Sequence, residues 1–102
     1  MSSIKAINVE VITSAVTGEP AAVTVRTDNR DRIAWDLARG RNKWPQAQEA
    51  PSLWATHIAY TALRRGGDLP SNMTFDEFND QTVSAEPEVI DVDPTRTATA
   101  GA

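Results

Sequence analysis

The 102 residues are 40% apolar and 24% charged, with a formal net charge of −4, which fits one globular domain and leaves no room for a second. The absence of cysteine excludes disulfides, thiolate catalysis and Cys-based zinc sites. Residues 1–83 hold nine Lys and Arg against ten Asp and Glu, while residues 84–102 hold one against four, so a nearly neutral body with an acidic end gives no global argument for nucleic acid.

The start, Met1-Ser2-Ser3-Ile4-Lys5, lacks a long apolar run after a basic segment, and no stretch approaches the roughly 20 apolar residues of a membrane span. A soluble protein of a reducing cytoplasm is therefore expected. Residues 4–13 place Ile7, Val9 and Val11 on one face, with Asn8 and Glu10 on the other. That period of two predicts a half-buried strand. Val23 and Val25 repeat it over residues 21–27, and Thr17-Gly18-Glu19-Pro20 between them reads as a turn. An antiparallel hairpin is expected, and it needs a partner on its apolar face.

Helices follow. Asp28 is placed to cap a first helix, with Asp31 three residues on. Ile33, Ala34, Leu37 and Ala38 form an apolar stripe at helical spacing that predicts the buried face. Pro51 suits the first turn of a second helix that presents Leu53, Trp54, His57, Ile58, Thr61 and Ala62 and stops at Gly66-Gly67. Thr74 to Glu77 reads as a capping box opening a short third helix with Phe75 and Phe78 inward. From Ser84 the pattern stops, and Pro87, Pro94 and the acidic residues predict a disordered tail over 84–102. Val89, Ile90 and Val92 are an apolar exception there, either a docking segment or an accident of a solvated tail. The expected fold is α+β: an N-terminal antiparallel hairpin, about three helices over 1–83, and the tail.

Little catalytic chemistry is visible. His57 is the one histidine, and no carboxylate lies three or four residues from it, so it reads as a core or interface residue rather than a metal ligand. No serine elbow, carboxylate pair or phosphate-binding glycine loop accompanies it. No enzyme, cofactor or metal is expected. Arg39, Arg41 and Lys43 lie beside Trp44, a basic and aromatic mixture that can hold single-stranded nucleic acid. The same cations also suit the negative end of a helix dipole, and Asp28, Asp31 and Asp36 dilute them. Trp35 points off the predicted apolar stripe by about 100–200°. It is either a partner contact, since aromatics are enriched at interface hot spots, or a cover for the hairpin edge.

Residues 30–65 as a whole carry a resemblance. Trp35-Asp36-Leu37-Ala38-Arg39-Gly40-Arg41, then Trp44-Pro45, then Ala50-Pro51-Ser52-Leu53-Trp54, and a helix ending in Arg64-Arg65 resemble the tail assembly chaperones of long-tailed bacteriophages of actinobacteria. Asp36, Arg39, Arg41, Trp44 and Pro45 match one block of that family, and Pro51, Leu53, Trp54 and Arg64 match the next. The second helix, Ala-Thr-His-Ile-Ala-Tyr at 55–60, is less aromatic than the family's usual pattern.

The resemblance implies a non-virion protein of the host cytoplasm. It would bind the tape measure protein and keep it soluble while tube subunits polymerise around it. It also implies self-association, and a longer product of programmed frameshifting that recruits tail tube subunits. Trp35, Arg39, Arg41, Trp44, Trp54 and Ile58 are then the expected partner-binding residues. Two other readings of different class are a structural head–tail connector or minor tail protein, and a small nucleic-acid-binding regulator.

Overall fold

A computed structural model of the chain describes residues 4–92. Strands β1 (Ile4–Thr13) and β2 (Ala21–Thr27) form the expected hairpin, in register from Ile7 opposite Thr27 to Thr13 opposite Ala21. Helices α1 (Asn29–Asn42), α2 (Pro51–Arg65) and α3 (Phe75–Asp80) follow, and strand β3 (Thr82–Val92) returns to pair with β1. The fold is α+β, with an antiparallel sheet of order β2-β1-β3.

β3 corrects the expectation of a tail disordered from residue 84. Ala85, Pro87 and Val89 lie opposite Val11, Val9 and Ile7 on the face that bears the helices, where Ala85 is half-buried and Val89 stays 65% exposed, while Glu86 and Glu88 alternate onto the other face. Pro87, which suggests a break, is tolerated because β3 is an edge strand, where an N–H can be missing without breaking the ladder. Residues 93–102, the rest of the predicted tail, lie outside the described residues. At the start of β3 the register shifts, so that Ile12 faces Ser84 and Thr13 faces Thr82, leaving Val83 unpaired and exposed. Buried Thr13 holds this bulge: its Oγ1 donates to the Gln81 carbonyl at 3.0 Å and accepts from Thr82 Oγ1 at 3.1 Å.

α2 is the centre of the molecule. One side packs on the sheet over Val9 and Val11, and the other meets α1 and α3. This explains why residues 55–60 are buried without a polar stripe among them. Phe78, at zero exposure, closes the core from α3, whose N-terminus carries the expected capping box of Thr74 and Glu77.

α1 is also capped as expected: Asp28 accepts from the Arg30 amide, and Asp31 accepts from the Asp28 amide, each at 2.8 Å. Its buried face is not the expected one. Asp31, Trp35 and Ala38 point inward, while Ile33 and Leu37 stand 50% and 59% exposed. The predicted stripe and the observed one share Ala38 and differ by a rotation about the helix axis. The helix runs through Gly40 and ends at Lys43, which takes a left-handed conformation at φ 56°.

Candidate functional site

The inward turn of α1 brings Trp35 onto α2 and creates an aromatic cluster. The rings of Trp35 and Trp44 stack at 5.8 Å with an interplanar angle of 23°. His57 from α2 meets both edge-on, each at 5.8 Å, and lies 4.9 Å from Phe75 of α3. Tyr60 extends the cluster to Phe75 and Phe78, each at 5.6 Å. Offset and edge-on pairs of this kind add to the area they bury, at about 0.5–1.5 kcal/mol each. Trp44 reaches the cluster because the left-handed Lys43 turns the chain back, with the Trp44 amide donating to the Arg39 carbonyl at 3.0 Å.

Polar groups are fitted around the rings. The Tyr60 hydroxyl donates to the Met73 carbonyl at 2.7 Å and accepts from Arg64 at 3.1 Å, and Arg64 also donates to the Ser71 carbonyl at 3.1 Å. Asp31 is fully buried, and Arg65 and Thr61 of α2 both donate to its Oδ1. That triad fixes α1 against α2. The Asp28 carboxyl is held below its ordinary range, chiefly by the hydrogen bond from Arg30. His57 has no such support: it is 6% exposed, and its Nδ1 is buried with no hydrogen-bond partner. Burial, reinforced by the positive charge of Arg41, lowers its pKa to about 4, so the ring is neutral at pH 7.

Two grooves flank α1. One, of about 370 Å³, runs between α1, α2 and α3, with Trp44, His57, Tyr60 and Phe75 among its lining residues and Leu37 and Arg41 contributed by α1. The other, of about 360 Å³, lies on the opposite flank, where Arg32, Trp35, Arg39 and Trp54 contribute.

The predicted partner residues therefore divide. Trp35 is 4% exposed and Ile58 fully buried, so both serve the core, and of the two only Trp35 also forms part of a groove wall, that of the second groove. Trp44 and Arg41 border the first groove, and Trp54 and Arg39 the second. Leu37 was missed because the helical stripe was read as inward. The signal that could have found it was Trp35 itself, which in a small core takes the inward position of α1 and turns Ile33 and Leu37 outward. Among the described residues no group of three or more His, Asp or Glu could hold a metal ion, and no helix is long and apolar enough to cross a membrane. No family model, curated protein or solved structure matches the chain.

Proposed function

We propose that this chain is a bacteriophage tail assembly chaperone that binds the tape measure protein in the host cytoplasm and is absent from the finished virion. The observation that carries the reading is the groove beside α1. It combines an exposed Leu37, half-buried Trp44 and Phe75 and the cations Arg41 and Arg64, in the segment whose sequence resembles that family. An aromatic groove with an apolar lip suits an amphipathic helix laid along it. Binding must be reversible if the chaperone is to be shed. A groove this small, in which only a few side chains are desolvated, favours modest affinity per copy.

The test is co-expression with the tape measure protein of the same genome, followed by size-exclusion chromatography with light scattering. The client should stay soluble only with this chain present and co-elute with several copies of it. Leu37→Ser, which leaves the aromatic cluster intact, should abolish co-elution. Trp35→Ala is unsuited to the purpose, because loss of a buried Trp unfolds by about 3–5 kcal/mol before any surface is tested. Recovery of the chain in purified particles would favour a structural virion component and end the chaperone reading.

A further inference from the structure

The lining of the aromatic groove beside α1 is one-sided in charge. It contains Arg41 from α1 and Arg64 from α2, and no Asp or Glu. The groove on the opposite flank, by contrast, sets Asp36 beside Arg32 and Arg39. Neither Arg41 nor Arg64 pairs with a carboxylate among the described residues. Arg64 is held by two neutral acceptors, the Tyr60 hydroxyl and the Ser71 carbonyl, with its guanidinium carbon 5.7 Å from the centre of the Tyr60 ring. Its charge is therefore positioned without being neutralised. Arg41 makes no side-chain hydrogen bond among the described residues, and its charge reaches the His57 ring. In a chain of net charge −4, this is a local cationic pair with no anion to answer it.

His57 adds a third donor. Its ring, more than nine-tenths buried, lines the same groove, and among the described residues its Nδ1 is the one buried side-chain nitrogen or oxygen with no hydrogen-bond partner. A buried polar atom left so costs about 1–3 kcal/mol. The rings around it, Trp35, Trp44 and Phe75, carry no acceptor that could satisfy an N–H. A neutral imidazole holds one N–H and one lone pair, whereas a carboxylate only accepts. A carboxylate therefore suits the guanidinium groups and an Nδ1–H together. Nδ1 is shielded from water in the free protein. A ligand reaches it through rotamer changes in the lining, which are common when an interface forms.

On the reading of this groove as the client site, we infer that it selects an acidic helical segment, one with an Asp or Glu three or four residues from a large apolar side chain. The carboxylate accepts from Arg41 and from His57 Nδ1–H, and Arg64 adds its charge. The apolar side chain lies against Leu37, Trp44 and Phe75. Residues at that spacing are neighbours on one face of a helix, so a single client helix presents both. The same arrangement rejects a segment with Lys or Arg in the place of the acid, because like charges then meet.

The experiment titrates the full chain into fluorescently labelled, overlapping peptides that cover the tape measure protein of the same genome. Each has roughly 20 residues, about 30 Å long as a helix, and binding is read by anisotropy. The peptides that bind should carry an acid at the stated spacing, and replacing that acid by Lys should weaken binding at least about tenfold. Arg41→Glu should weaken the natural peptide by a similar factor. It should also bind the Lys-substituted peptide at least about tenfold better than the parent chain does, a gain that misfolding cannot produce. His57→Phe, which keeps a ring in the cluster, should weaken the acidic peptide at least about threefold and leave a peptide with Gln in place of the acid unchanged. Bound peptides without an acid at that spacing, or binding indifferent to Arg41→Glu or to His57→Phe, would overturn the proposal and leave the chaperone reading standing. If no peptide binds although the intact tape measure protein co-elutes, the client uses another surface and this proposal falls alone. If neither peptide nor intact protein binds, both fall.

Discussion

His57 combines a titratable ring with a site that tolerates only its neutral form. Its folded pKa of about 4 lies below the ordinary 6.5. The unfolded chain therefore takes up a proton at a higher pH than the folded one, and stability rises with pH across that interval. The contribution is complete above pH 6.5 and lost by pH 4, and the gap corresponds to about 3 kcal/mol. Urea titrations at pH 7 and pH 4 should show it, with His57→Phe losing less stability than the parent chain over that range by about this amount. Equal slopes would mean that the ring is protonated in the fold. Asp31 poses the reverse problem of a buried charge that must stay paired. Arg65→Met leaves the carboxylate with Thr61 and a backbone amide alone. The expected cost is about 3 kcal/mol, read as a fall in the urea midpoint with unchanged slope.

At the scale of elements, β3 is the strand that makes the sheet viable. It pairs with β1 at ten positions from Ile4 opposite Val92 to Thr13 opposite Thr82. Without it the sheet is a two-stranded hairpin, which is marginal in water even with a helix on one face. A chain ended after Gln81 should therefore lose cooperative thermal unfolding, while one ended after Val92 should keep it.

The hairpin, the capped helix starts and the glycine stop after α2 were legible because each is local: alternation, a side chain within three residues of its amide, a turn composition. β3 was not, because acidic residues and Pro87 mimic a solvated tail. What makes it a strand is its match to β1, which lies at the other end of the described chain, with Thr13 opposite Thr82 and Ile4 opposite Val92. The face of α1 was misread for a similar reason. Ile33 and Leu37 formed the more apolar stripe, and Asp31 on the other looked like a solvent residue. Its buried state depends on Thr61 and Arg65, 30 and 34 residues away. Of the predicted site, Trp44, Trp54, Arg39 and Arg41 remain at grooves, and Trp35 and Ile58 belong to the core.

For the whole molecule, the grooves on the two flanks of α1 let the proposed client contact be tested one flank at a time. Leu37 lines the aromatic groove, and Arg32 and Arg39 line the groove on the other side of the helix axis. A surface change at 59% exposure shifts stability by no more than about 0.5 kcal/mol, so Leu37→Ser should fold like the parent chain. It should lose the tape measure protein while keeping the parent chain's circular dichroism. Arg32→Glu, in the second groove, should fold equally well and keep the client. If Arg32→Glu loses the client and Leu37→Ser keeps it, the client lies in the second groove instead. Light scattering of each variant with the client separates the two arrangements.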